Sequence, residues 1–117
     1  MQSYREKLGT NLLISAPPER PSKKLLSRIS EIICNIEEIR EAHFPMVLSV
    51  GASKEQMCVL FLVFYQENKI AEVMESIDTE LKSISGDGMP FDVWPISQSD
   101  SLLETIRSAN CVIGWRD

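Results

Sequence analysis

The sequence predicts an α+β sandwich whose elements run β-α-β-β-α-β, with a further helix near the C terminus. Three observations carry that prediction. Two long segments repeat apolar residues at three-and-four spacing, the period of an amphipathic helix. Four shorter segments read as strands, and one of them, Met57–Tyr65, is apolar on both parities, as a central strand must be. Prolines fall inside only the second and fourth strands, at Pro45 and Pro95, and proline, lacking an N–H, marks sheet edges or bulges. The closure that puts those two strands outermost is the ferredoxin-like split βαβ, a mainly antiparallel four-stranded sheet covered by helices.

Taken in order, Leu12–Ala16 is a strand, and Pro17, Pro18 and Pro21 frame the turn after it. A helix follows from about Ser22 to Ile39, with Leu25, Leu26, Ile29, Ile32, Ile33 and Ile36 on one face. Pro21 suits its first turn, where a missing N–H leaves no bond unmade. Glu41–Val50 is the second strand, with Ala42, Phe44, Met46, Leu48 and Val50 on one side, and Gly51 to Glu55 is a polar turn. Met57–Tyr65 leads into a helix from about Asn68 to Ile84, striped by Ile70, Met74, Ile77, Leu81 and Ile84 and stopped at Gly86, Asp87 and Gly88. Pro90–Ile96 is the fourth strand. Ser101 and Glu104 have the spacing of a capping box and open a short helix to about Ala109. Cys111–Trp115 is apolar enough to pack.

The 117 residues amount to one domain, with its core between about residues 8 and 115. A net charge of −5 and a pI near 4.9 argue against a phosphate-tracking, nucleic-acid-binding surface. The longest apolar run is far short of the ~20 residues of a membrane-spanning helix, and the polar start has no signal-peptide core. Cys34, Cys58 and Cys111 are widely spaced and His43 is the single histidine, so neither a zinc site nor any other cofactor is expected. Reduced thiols in the cytoplasm are the simplest reading.

One helix layer covers one face of the sheet, so half of the third strand needs another cover. Either Met57, Val59, Phe61, Val63 and Tyr65 or the opposite parity, Cys58, Leu60, Leu62 and Phe64, is left over. The third helix and the tail could fold onto that face, or it could meet a partner protein or a second copy. Cys58, Leu60, Leu62, Phe64 and Trp115 are the candidate interface.

Catalytic signals are absent from the pattern: no nucleophile-base pair, no phosphate loop and no ligand spacing occur. Lys23 and Lys24 sit at the positive end of the first helix, opposing its dipole, and together with Arg20 are candidates to attract an anionic group. His43 and Trp94 complete the candidate binding residues. Cys34 lies on the polar side of the helix between Glu31 and Glu38, where it is an exposed but poor nucleophile.

Three blocks resemble the C-terminal domain of the bacterial enhanced serine sensitivity (SseB) family: residues 12–21 leading into Leu25 and Leu26, residues 39–44, and residues 90–96 followed by residues 102–106. Val112–Trp115 departs from the family, whose members end on an aromatic-rich apolar strand. The resemblance implies a cytoplasmic protein without established catalytic residues. It also implies a further domain ahead of this one in similar proteins, so that this chain is a stand-alone version or an excised domain. The expected function is a non-enzymatic protein-interaction or regulatory module working through its second sheet face or an edge strand. The alternative is an amino-acid sensor with an ACT-like dimeric arrangement, which rests on fold analogy and the family's name.

Overall fold

The structure, a computed structural model, describes residues 11–17, 21–50, 56–86 and 91–115. The elements are β1 (Asn11–Ser15), α1 (Lys23–Ile33), β2 (Ile39–His43), β3 (Met46–Val50), β4 (Gln56–Phe64), α2 (Ile70–Gly86) after a single 3-10 turn, β5 (Phe91–Ser97), α3 (Leu103–Ser108) and β6 (Val112–Trp115). The α+β class is as the sequence reads; the strand order is not. β4 pairs antiparallel with β2 and β3 on one side and parallel with β5 on the other. β1 lines the far side of β3 and β6 the far side of β2, both antiparallel. In the split βαβ the first strand would lie beside the third. Here it folds back on the second, and the six-stranded sheet runs from a β1/β6 edge to a β5 edge.

Pro45 explains part of the difference. The expected strand Glu41–Val50 is two strands, broken at Phe44 and Pro45, and both halves are paired on both sides. Pro45 therefore lies within the sheet, at the break, where it has no N–H to leave unpaired and its carbonyl accepts from Val59 N at 3.0 Å. The neighbouring Phe44 N–H donates to the Cys111 carbonyl at 2.9 Å. Pro95 does sit on an outer strand.

Helix α1 starts at the Ser22 cap, whose Oγ accepts from Leu25 N at 3.1 Å. It buries Leu25, Ile29 and Ile33 and ends six residues before the expected Ile39. The isoleucine period outlasts the helix because Ile36 still packs on the core, from a turn in which Ile36 N bonds Ile33 O and Ile39 N bonds Ile36 O. Helix α2 buries Val73, Ile77, Leu81 and Ile84 and ends at Gly86. The capping box expected at Ser101 does not form. Asp100 takes that role, its Oδ1 accepting from Leu102 N at 2.9 Å and its carbonyl from Leu103 N at 3.1 Å. At the other end of α3, Asn110 adopts φ 56°, the left-handed turn that asparagine tolerates, and its N–H bonds Arg107 O.

Both faces of β4 are covered by the chain itself, and Val59 to Phe64 are 0 % exposed. Cys58, Leu60, Leu62 and Phe64 pack with Ala42, Phe44 and the apolar stripes of α1 and α2. Val59, Phe61 and Val63 pack on the other side with Val47, Trp94, Ile96 and the α3 residues Leu103 and Ile106. Each large side chain so buried contributes roughly 1.5–3 kcal/mol. The third helix thus closes the second face, whereas the tail becomes the edge strand β6.

Candidate functional site

Four of the five expected interface residues, Cys58, Leu60, Leu62 and Phe64, lie beneath α1 and α2 and have no surface to offer a partner. Of Trp115 only the backbone is described, opposite Glu41 in the β2·β6 ladder. Burial raises the pKa of the Cys58 and Cys111 thiols, which holds them protonated. Cys34, the cap residue ending α1, is exposed as expected.

The candidate binding residues do not form one site. Arg20 and the turn at residues 51–55 lie outside the described residues. Lys23 and Lys24 are exposed on the first turn of α1. His43 and Trp94 are buried instead, at 1 % and 6 % exposure, and they share one row of the sheet. His43 is paired in register with Phe61, and Phe61 with Trp94. The Phe61 and Trp94 rings meet edge to face, centroids 5.4 Å apart. The Trp94 indole N–H donates to Asp92 Oδ2 at 2.8 Å, so its polar end is engaged within β5.

The site that does assemble lies at the end of this row, under α3. Glu41 is 1 % exposed and accepts from three groups. Arg107 Nε donates to Oε1 at 3.0 Å, Arg107 Nη2 donates to Oε2, and His43 Nε2 donates to Oε1 at 2.9 Å. Arg40 Nε stands 3.8 Å from Oε2, while its Nη1 donates to Gln98 Oε1 at 2.9 Å. Burial pushes the Glu41 carboxyl's pKa up, but the hydrogen bonds and charges of Arg107 and His43 outweigh it and hold it below the usual carboxylate value. The Glu41 bond in turn raises Arg107 above its usual value.

A sheet irregularity aims Glu41 at α3. The β2·β4 register shifts between Ile39 and Glu41, so Ile39 faces the α1 and α2 side while Glu41, two residues on, faces the other. Arg107 lies beside Ile106 and four residues after Leu103, on the inward side of α3. Sequence reading missed both members of this pair. The available signal was an arginine sharing the face of Leu103 and Ile106 in a short helix, facing a sheet strand that carries Glu41 and His43 on one parity.

Chemically this is a fastening. A carboxylate already bound by a guanidinium and an imidazole, and closed off from solvent, is out of reach of a substrate proton. Two buried atoms of the cluster, His43 Nδ1 and Arg40 Nε, have no hydrogen-bond partner among the described residues. No three His, Cys, Asp or Glu side chains among them gather as metal ligands, and no described helix is long and apolar enough to cross a membrane. A shallow groove of about 180 Å³ between α1 and β6, floored by Ala42 and Gly114, is mainly apolar. No family model matches the sequence, and no curated protein matches it.

Proposed function

We propose that the chain is a non-catalytic protein-interaction module, similar to the C-terminal domain of the bacterial SseB family and working in the cytoplasm. Its partner, a second copy or another protein, adds along the outer sheet edge made by β1 and β6. One observation carries the reading. Both faces of the central strand are already filled by the chain's own side chains, whereas among the described residues nothing pairs with the outer side of β1 or β6. Unpaired edges are templates for strand addition.

The composition of the edges supports the choice between them. The outer strand β5 carries Pro95 and Asp92, features that blunt an edge. The strand β1, Asn-Leu-Leu-Ile-Ser, has neither charge nor proline, and its middle residue Leu13 is 57 % exposed. Val112, on β6 along the same edge, is 49 % exposed. Cys34, Cys58 and Cys111 form no disulfide with one another, which suits a reducing compartment.

Charging the edge tests the proposal. The double variant Leu13→Lys/Val112→Lys is expected to keep the circular dichroism of the parent and to lose the self-association, or the bound protein, that the parent shows at native concentration. A parent chain that is strictly monomeric and retains no protein contradicts it. A concentration-dependent rise in Tm with serine or a related amino acid would favour amino-acid sensing instead.

A further inference from the structure

We propose that α3 is a latch: the segment Ser99–Asn110 swings away from the second sheet face as one unit, and Arg107 gripping Glu41 holds it shut. The proposal concerns a different surface from the β1/β6 edge and stands or falls separately from it.

Four observations converge on it. First, α3 has six residues, below the ~12–15 at which a helix begins to hold together in water alone, so it exists through its docking. Secondly, that docking is slight. Leu103 and Ile106 are its buried side chains, whereas α1 buries three residues, α2 buries four, and those two helices also pack on one another. Thirdly, both ends of the segment are anchored outside it. On one side Gln98 is tied to the sheet, its N–H donating to Phe64 O, its Nε2 to Tyr65 O, and its Oε1 accepting from Arg40. On the other, the Cys111 carbonyl is held by Phe44 N–H. The segment between these pins can leave without unzipping β5 from β4 or β6 from β2.

The fourth observation is the cluster itself. Among the described residues the closed state buries His43 Nδ1 without a hydrogen-bond partner and leaves Arg40 Nε only a 3.8 Å approach to Glu41 Oε2, and buried polar groups left unbonded are costly. Opening lets water reach them. The strong Arg107–Glu41 bond therefore works against a local penalty that opening relieves, which is the arrangement of a segment poised to move. Opening would bare Val59, Phe61, Val63, Trp94 and Ile96, an apolar face hidden in the closed form.

Native-state hydrogen exchange of the full chain in low urea tests this. The bonded amides of Leu103, Ile106, Ala109 and Asn110 are expected to exchange at least about tenfold faster than those of Leu60 to Val63, and with a smaller urea dependence, because the opening exposes only one face of the sheet rather than the whole core. Arg107→Met is expected to speed the α3 amides by about thirtyfold to a hundredfold while they keep their lead over the β4 amides, which speed up only as far as global stability falls. In a Trp115→Phe background it should also shift Trp94 emission to the red with unchanged far-UV circular dichroism. Amides of α3 in the parent chain that exchange at the β4 rate and with the β4 urea dependence overturn the proposal, even if Arg107→Met fails to fold. Exchange of the α3 amides that is unchanged in Arg107→Met overturns it equally.

Discussion

Replacing Arg107 by methionine should destabilise the fold far more than a surface ion pair would suggest. The magnitude follows from what is left behind. The Glu41 side chain is fully buried, and removing its main partner strands a carboxylate that cannot reach water. Breaking a buried pair in this way costs about 3–5 kcal/mol. The Arg107 side chain is 37 % exposed, and His43 and Arg40 stay close to Glu41, so a loss of about 2–3 kcal/mol is expected. In a domain of this size that lowers Tm by roughly 10–20 °C. Glu41→Leu alone should cost about 1 kcal/mol, because the freed guanidinium can turn to solvent. The double variant Glu41→Leu/Arg107→Met should lie within about 1 kcal/mol of the parent, since an apolar pair replaces a buried ionic one at little net cost. Urea unfolding followed by circular dichroism gives all four corners of the cycle, with an expected coupling of about 2 kcal/mol. A loss below about 0.5 kcal/mol for Arg107→Met, or a double variant as unstable as the sum of the singles, would refute the reasoning.

Three further outcomes are expected. The Glu41 carboxyl is held below its unfolded value of 4.5, so its stabilisation is complete above that pH and is lost as pH falls through the lower, folded value. The groups facing it are Arg107 from α3 and His43 and Arg40 from β2. Acid unfolding below about pH 4.5 should thus be shallower in Glu41→Leu than in the parent, and identical curves would count against it. Asp100→Ala should lower stability by about 1 kcal/mol and Ser101→Ala by a few tenths, since Asp100 makes the bonds at the start of α3; the reverse order in thermal melts would restore the capping box. Asn110→Val should cost about 1–2 kcal/mol and Asn110→Gly little, because the position needs positive φ; equal Tm values for the two would contradict that geometry.

Much of the fold was legible because its signals are local. The isoleucine stripe of the first helix and the two-sided apolar third strand follow from period within a few residues, while Asp87 and Gly88 of the expected helix stop lie outside the described residues. Strand order was not legible, since it depends on which strands meet across long intervals. Pro45 was read as an edge marker, yet a break inside the sheet accommodates a missing N–H equally well. The capping box failed because Asp100, one residue earlier, takes the same turn with its acidic side chain. His43 and Trp94 attracted notice as rare, chemically able residues, and the fold does bring them to one row, but as core. Glu41 and Arg107 escaped notice because their meaning lies in a contact between residues 66 apart, and because a register shift turns Glu41 to the face opposite Ile39.

The central functional claim is that a partner meets the outer sheet edge and leaves both faces of β4 untouched. Hydrogen exchange of the chain, alone and with the protein it holds in native extract or with its own second copy, measures this directly. Added protection confined to residues 12–15 and 112–115, with α1 and α2 unchanged, is the predicted pattern. Protection that falls on the outer surfaces of α1 and α2, or no associated protein at any concentration, would contradict the account.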